Sequence, residues 1–190
     1  MTVTLIAAMD AIELRAATVD DAGAIREIYN HEVLNTTATF DLVPRSLDEQ
    51  RDWLASRQGA FAAIVAVDAT LGGALMGFAS LSPYKERAAY RTTVEDSVYV
   101  HRDAHGHGIG KLLLNRLLDV ATESGFHAVV ARIEAGGTAS RALHASCGFA
   151  LVGVEREVGR KFNRWLDVAV MQCVLHERTA ARATPPPAAT

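Results

Sequence analysis

The chain has 190 residues, 49% of them hydrophobic and 22% charged, and its formal net charge is −3 at pH 7. A chain of this length buries the core of one domain without metal ions or disulfides, and its two cysteines, Cys147 and Cys173, exclude a disulfide scaffold and a zinc ribbon. The small acidic excess argues against nonspecific binding of nucleic acid, which requires a basic surface.

The apolar runs and the ends of the chain predict no membrane segment. The longest clean apolar run, residues 61–67, is far shorter than the roughly 20 residues that span a bilayer. The first residues lack a Lys or Arg ahead of their apolar part, unlike a signal peptide. We therefore expect a cytoplasmic protein with reduced thiols and no membrane partner. Residues 1–11 are predicted to form a leader, 12–176 one domain, and 177–190 a disordered tail.

A strand and a helix are predicted at the start of the domain. Residues 12–16 indicate a short strand, and Asp20 or Asp21 begins a helix that reaches about Leu34. The apolar residues of this helix recur at helical spacing and predict one buried side: Ala24, Ile25, Ile28, Tyr29 and Val33.

A second helix begins with a capping box. The Ser46 hydroxyl is expected to accept a hydrogen bond from a free amide at the helix start, while Glu49 reaches back to the Ser46 amide. This helix is predicted to end near Gln58. It carries three apolar residues: Leu47, Trp53 and Leu54.

Three strands are predicted in the middle of the chain. The run 61–67, rich in β-branched residues, indicates a buried strand, and Gly72-Gly73 indicates the turn that joins it to a second strand, 74–81. Residues 92–101 are predicted to form the third strand.

The rest of the domain alternates between helices and strands. A long helix is predicted over 108–124, with Gly125 in the position of a C-cap. Its apolar residues fall at helical spacing: Ile109, Leu112, Leu113, Leu117, Val120 and Ala121. The remaining elements are a strand, a short helix closed by Gly148, and two final strands: 128–133, 140–147, 150 to about 158, and 165–174. The order β-α-α-β-β-β-α-β-α-β-β predicts an α/β fold, in which one mixed sheet carries helices on both faces.

The loop between the third strand and the long helix is the segment most informative about chemistry. It has three glycines at alternate positions: Gly106, Gly108 and Gly110. Glycines let the backbone approach a ligand closely, and the amides and dipole of a helix start favour an anion. The loop is not a Walker A motif, because His105 replaces its first glycine and Leu112 its Ser or Thr. The dinucleotide fingerprint fails as well, because Lys111 replaces its last glycine. The loop is therefore either a pyrophosphate cradle or a glycine-rich turn without a ligand.

Several blocks together resemble the GNAT acetyltransferases, and within them the phosphinothricin/methionine sulfoximine N-acetyltransferase branch. The blocks are residues 93–100, the glycine loop, and residues 142–149 and 158–167. The resemblance covers about residues 12–175 and implies a single GNAT domain that forms a homodimer through its late strands. It also implies transfer of acetyl from acetyl-CoA, without a metal, to the α-amino group of a small amino-acid analogue by direct attack.

The resemblance implies where acetyl-CoA binds. Its pantetheine would pair with the strand around Val98, whose amide would stabilise the thioester oxyanion, and its pyrophosphate would rest on the amides of 106–111. His105 stands where the family signature begins with Gln or Arg, and Gly137 where the family often has Asn. The expected cofactor-binding residues are Val98, Tyr99, Val100, His105, Gly106, His107, Gly108, Ile109, Gly110, Lys111, Gly137 and Ser146.

Two ionisable residues are the catalytic candidates. An α-ammonium group, with a pKa near 8, must lose a proton before it attacks a thioester, and the resemblance implies that Glu95 takes this proton, directly or through water. The alternative is an ion-paired or solvent-facing glutamate. The resemblance also implies that His144 serves in acid/base catalysis at the leaving thiolate, whereas a helix histidine by itself is more often structural.

The loop before the strand predicted over 92–101 carries cationic side chains. They suit a substrate with two anionic groups, because Arg binds an oxyanion bidentately. The alternative is a solvated polar loop. Phe40 is predicted to form a wall of the pocket or to pack in the core. The expected substrate-binding residues are Lys85, Glu86, Arg87, Tyr90, Glu95, Asp96, Ser97 and Phe40.

Other chemistry has weaker support in the sequence. His101, His105 and His107 lie on a loop with no accompanying ligand set except Asp103, so we expect no metal site. A Cys147–His144 nucleophile pair is the alternative to direct attack, but buried cysteines are usually inert. Two further functions stay open: a GNAT enzyme for another amine, such as a peptide N-terminus, a polyamine or an antibiotic, and a non-catalytic acyl-CoA sensor.

Overall fold

The computed structural model describes residues 11–61 and 63–178. Over these residues, the seven strands and the four α-helices that lie among them follow the predicted order. The elements are β1 Ile12–Ala16, α1 Ala22–Asn35, α2 Leu47–Ala55, β2 Ile64–Asp68, β3 Ala74–Pro83, β4 Thr93–Val100, α3 Ile109–Glu123, β5 Ala128–Glu134, α4 Thr138–Ser146, β6 Ala150–Lys161 and β7 Arg164–Val174.

The seven strands form one mixed sheet in the order β1-β2-β3-β4-β5-β7-β6. Neighbouring strands are antiparallel except β4 and β5, which are parallel. This confirms the predicted α/β class. The apolar residues of the sheet form two clusters, one with α3 and one with α1 and α2, so helices cover both faces.

The parallel pair at the centre of the sheet opens partway along its length. β4 and β5 are paired from Thr93↔Ala128 to Glu95↔Val130 and no further. Beyond Glu95, β4 remains paired with β3 and β5 with β7. The two strands therefore diverge and leave a notch in the sheet, called the β4–β5 notch below.

Several helix details differ from the sequence predictions. A 3-10 turn over Val19–Asp21 precedes α1, which begins at Ala22, so that Ala22 is buried and Ala24 is exposed. In α3, Leu114 and Leu118 are fully buried, whereas the predicted Leu112 and Val120 are half-buried. The sheet and α4 both border α3, so its buried face is wider than a single stripe.

The strands also differ at their ends. β2 begins at Ile64 rather than at Phe61, because Gly59–Phe61 form a 3-10 turn. β6 continues to Lys161, and the turn to β7 places Phe162 and Asn163 at positive φ, the geometry of a tight hairpin. The predicted Gly72-Gly73 turn is confirmed, with φ of 65° and 81°.

The predicted leader and tail fall mostly outside the described residues. At the inner end of the tail, Arg178 is buried and donates hydrogen bonds to Asp119 and Asn115 of α3. Among the helices of the described ranges, none is long and apolar enough to cross a membrane.

Candidate active site

A cleft runs through the β4–β5 notch as three adjoining cavities. The helix-end cavity, of about 580 Å³, lies at the N-terminus of α3. The central cavity, of about 340 Å³, lies between β4, β5 and α4. The Glu95 cavity, also about 340 Å³, lies beside Glu95 and Phe40. Adjacent cavities share lining residues, Val98 in the first two and Asp96 in the last two, so the three cavities adjoin one another.

The helix-end cavity has the geometry of an anion site. Gly106 and Gly108 have φ of 79° and 78°, and Gly108 is the N-cap of α3. The first amides of a helix have no intrahelical acceptor, and the helix dipole favours negative charge there. A Cβ at Gly110 would lie 3.0 Å from Leu143 Cδ2, so this glycine lets α3 approach α4. The glycines therefore shape a seat in which main-chain amides and the Lys111 ammonium can meet a phosphate group.

Most of the predicted cofactor-binding residues line this cavity: Val98, Tyr99, Val100, His105, Gly106, Gly108, Ile109, Gly110, Lys111 and Gly137. His107 and Ser146 are not among its lining residues. The Ser146 hydroxyl donates to the Leu143 carbonyl of its own helix at 2.8 Å. The predicted cofactor-binding residues of the β4 strand and those of the glycine loop thus line the same cavity.

The main chain of β4 offers hydrogen-bonding groups to the notch. The His101 amide donates to the Met76 carbonyl at 2.7 Å, toward β3. Because peptide groups alternate in direction along an antiparallel strand, those of Val98 and Val100 point away from β3 and into the notch. The His105 ring donates to the Val100 carbonyl at 3.0 Å. The Val98 amide is thus the main-chain donor at the middle of the notch.

Glu95 lies where β4 leaves β5, and its half-buried side chain lines the Glu95 cavity. Burial raises the pKa of the Glu95 carboxyl, and the nearby Arg132 guanidinium opposes that effect only in part. A carboxylate with a raised pKa is a better match for a proton acceptor near neutral pH.

His144 forms a buried pair with Asp96. Its Nδ1 donates to the Ser140 carbonyl at 2.7 Å, and its Nε2 lies 3.0 Å from Asp96 Oδ2. Burial lowers the pKa of His144, but the hydrogen bond and charge of Asp96, together with the hydrogen bond to Ser140, outweigh burial, so the pKa is raised. Asp96 Oδ1 is buried and has no hydrogen-bond partner among the residues that the structure describes. The pair thus holds one proton between Nε2 and Oδ2 at the edge of the central cavity.

The pairing of Asp96 with His144 was missed in the sequence, where Asp96 was expected to bind substrate. Side chains alternate along a strand, so Asp96 lies on the opposite face from Glu95, together with Val94 and Val98 in the α3 cluster. That alternation is the signal that could have assigned Asp96 to the side of His144.

The predicted substrate-binding residues separate into two groups. Phe40, Glu95, Asp96 and Ser97 line the Glu95 cavity. In contrast, none of the three cavities is lined by the β3–β4 loop residues Lys85, Glu86, Arg87 and Tyr90. The Lys85 ammonium instead lies over the Tyr90 ring, 5.3 Å from its centroid.

Arg132 of β5 supplies the guanidinium of the Glu95 cavity and was not predicted. The available signal was its place as the one charged residue within the otherwise apolar run 128–133. Its fork donates to both carboxylate oxygens of Glu155 on β6.

The two cysteines are free and buried. Burial raises the pKa of the Cys147 thiol, and both ring nitrogens of His144 bind other groups, so the geometry does not support a Cys147–His144 nucleophile pair. Over residues 11–61 and 63–178, no cluster of three or more His, Cys, Asp or Glu side chains has the arrangement of a metal site.

Comparison with known proteins gives one consistent family. Residues 25–149 match the acetyltransferase (GNAT) family. The chain is 40% identical over 168 residues to an L-amino acid N-acyltransferase of Escherichia coli strain K12, covering 88% of this chain and 96% of the relative. It is 40% identical over 168 residues to the L-methionine sulfoximine/L-methionine sulfone acetyltransferase of Salmonella typhimurium, with the same coverage. The solved structure of a GNAT superfamily phosphinothricin acetyltransferase from Sinorhizobium meliloti, in complex with acetyl-CoA, superposes with a TM-score of 0.83 at 39% identity, covering 95% of each chain.

Proposed function

Because this chain belongs to the GNAT acetyltransferase family, we propose that it acetylates the α-amino group of a small amino acid or amino-acid analogue from acetyl-CoA. Methionine sulfoximine, methionine sulfone and phosphinothricin are the acceptors that its relatives' names suggest. The observation that carries the proposal is the cleft of three adjoining cavities, which has an anion site at one end and the half-buried Glu95 carboxylate at the other.

The helix-end cavity fits acetyl-CoA, because its glycines at positive φ expose main-chain amides at the start of α3. The residues that would hold the coenzyme are those of the glycine loop, with Lys111 for the phosphates and the β4 edge for the pantetheine. Bound acetyl-CoA supplies a thioester whose carbonyl accepts the amine.

Three groups of the chain would then act in the reaction. Glu95 accepts the proton that the substrate ammonium must lose before it attacks. The Val98 amide donates a hydrogen bond to the carbonyl oxygen as negative charge develops there. As the C–N bond forms and the C–S bond breaks, the departing thiolate takes up the proton of the Asp96–His144 pair, and the second proton that the attacking nitrogen loses restores that pair. Attack is direct, without an acyl-enzyme.

A thiol-release screen tests the proposed reaction. The full chain would be mixed with acetyl-CoA and each of a set of amines: protein amino acids, methionine sulfoximine, methionine sulfone, phosphinothricin, a polyamine and a short peptide. We expect free CoA to appear fastest with the α-amino acids. Faster release with the polyamine or peptide would identify a GNAT enzyme for another amine, and binding without release would identify an acyl-CoA sensor.

We also propose that the protein is a homodimer in the cytoplasm. Six large apolar side chains of the β6–β7 hairpin are exposed: Leu151, Val152, Val154, Val158, Phe162 and Trp165. An apolar strip of this kind on an edge strand is typical of a surface that a second copy covers. The two free thiols fit a reducing compartment.

A further inference from the structure

Arg132 has a position in the cleft that the proposed reaction does not yet use. Among the described residues that line the central and Glu95 cavities, it is the only lysine or arginine. The acidic residues that line these cavities are Glu32, Glu95, Asp96 and Glu134, and Asp96 is paired with His144. A guanidinium there is matched to an anionic group of the acceptor, since the other three carboxylates attract cations.

The strand register places Arg132 next to Glu95. Val130 is the partner of Glu95 in the last paired position of β4 and β5. Arg132 is two residues further along β5, so it lies on the same sheet face, at the point where β4 has moved away. The two side chains are close enough for the Arg132 charge to lower the pKa of Glu95.

The Arg132 guanidinium is oriented by Glu155. Nη1 donates to Glu155 Oε1 at 3.1 Å, and Nη2 donates to Oε2. A guanidinium has five N–H donors in a rigid plane, so donors remain for a second carboxylate. The pair is partly exposed, with 35% of the Arg132 side chain accessible, so the Arg132 side chain can be reached by a ligand.

We propose that Arg132 binds the carboxylate of the amino-acid acceptor while Glu95 receives its ammonium group. This inference rests on the proposed function and deepens it, because it assigns the acceptor class to two residues. In an α-amino acid the ammonium and carboxylate are attached to the same carbon, and the Glu95–Arg132 diagonal offers one partner to each. Arg binds carboxylates in a bidentate manner that other cations do not reproduce. Arg132 would therefore select α-amino acids over simple amines.

A matched pair of acceptors tests the assignment. Methionine sulfone and its carboxamide have the same amine and side chain, but only the acid carries a carboxylate. We expect Arg132→Gln to lower kcat/KM about 10- to 100-fold for the acid, the scale of one charge-assisted contact, and less than about threefold for the amide. Any effect through the pKa of Glu95 would lower kcat/KM equally for both acceptors. The ratio of kcat/KM for the acid to kcat/KM for the amide therefore isolates the carboxylate contact.

Three variants make the result specific. Arg132→Lys keeps the charge but loses the fork, so we expect a smaller, acid-specific loss. Arg116→Gln removes an exposed arginine of α3 that pairs with Glu123 at 3.2 Å. This variant should leave kcat/KM unchanged for both acceptors. Arg87→Gln tests the β3–β4 loop as the carboxylate site. Acetyl-CoA affinity, measured by calorimetry, shows that each variant is folded.

The outcomes separate the inference from the proposed function. An acid-specific loss in Arg132→Gln supports the assignment. Equal loss for acid and amide, no loss, or an acid-specific loss in Arg87→Gln alone would overturn it while leaving amino-acid acetylation in place. If the wild-type chain released no CoA with any amino acid, the proposed function would fail and this inference with it.

Discussion

At Glu95, burial and a neighbouring charge shift the pKa of the carboxyl in opposite directions. Burial raises its pKa and the Arg132 charge lowers it. The residue therefore accepts a proton more readily than an exposed glutamate does. This balance is what a base needs when its substrate is an ammonium group.

Glu95→Gln should lower kcat about 10²- to 10⁴-fold, the usual contribution of a general base, because glutamine cannot accept the proton. Acetyl-CoA affinity should stay within a few-fold, since Glu95 lies outside the helix-end cavity. Thiol release and calorimetry measure the two quantities. Glu123→Gln, on the exposed face of α3, is the matched control. Unchanged turnover in Glu95→Gln would remove Glu95 from the mechanism.

His144 should stabilise the fold in a pH-dependent way. Its folded-state pKa is raised by Asp96, so the pair's contribution is complete below the unfolded pKa of about 6.5 and is lost as pH rises through the folded value. His144→Gln should lower the free energy of unfolding by about 3–5 kcal/mol at acidic to neutral pH and by less at alkaline pH. Urea unfolding of variant and wild type across this range measures the difference, and a pH-independent difference would contradict a charged pair.

At the level of elements, the start of α3 and the divergence of β4 from β5 create the cleft together. The helix supplies amides and a favourable dipole at one end. The notch exposes the Val98 main chain and brings α4, with His144, beside it. Neither element alone forms a channel long enough for an extended coenzyme.

Gly108→Glu should abolish acetyl-CoA binding. Gly108 has φ of 78°, which side-chain-bearing residues rarely adopt, and the new carboxylate would repel phosphates at the helix N-terminus. Gly125→Glu is a matched control, because Gly125 also has φ of 78° but lies beyond the other end of α3 with open space around it. Calorimetry should show lost binding in Gly108→Glu alone. Retained affinity in that variant would show that the phosphates bind elsewhere.

At the scale of the molecule, the β6–β7 hairpin carries six of the twelve exposed large apolar side chains of the described residues. β6 is the terminal strand, so one side of its backbone is unpaired within the sheet. The neighbouring β7 contributes Trp165, which is 61% exposed. Val158 of this hairpin also lines the Glu95 cavity, whereas the helix-end cavity is lined by none of the residues of β6 or β7. A second copy can therefore cover this edge without closing the helix-end cavity.

Trp165→Glu should convert the proposed dimer to a monomer, since it places a charge within the apolar strip. Sedimentation equilibrium of the wild type should give twice the chain mass of 20.4 kDa, and the variant should give that mass once. Val43→Glu, at an apolar residue that is 75% exposed outside the hairpin, should leave the mass unchanged. A monomeric wild type, or a dimeric Trp165→Glu, would contradict the proposal.

The sequence by itself determined the elements, their order and the glycine loop. These depend on local patterns, such as helical spacing, the Ser46–Glu49 capping box and the Gly72-Gly73 turn, which neighbouring residues specify among themselves. The capping box forms as predicted, with Glu49 accepting from the Ser46 amide at 2.7 Å. The motif blocks likewise identified the family, because each lies within one short segment.

Only the tertiary structure decided how the site is assembled. Asp96 and His144 are 48 residues apart in the chain, and Arg132 and Glu155 are 23 apart. No local spacing predicts which side chains meet across such intervals, or that β4 and β5 stop pairing at Glu95. The notch arises because each strand keeps its other neighbour, β3 or β7, while the two diverge. That divergence, a property of the whole sheet, is what turns Arg132 toward the cleft and opens the main chain of Val98.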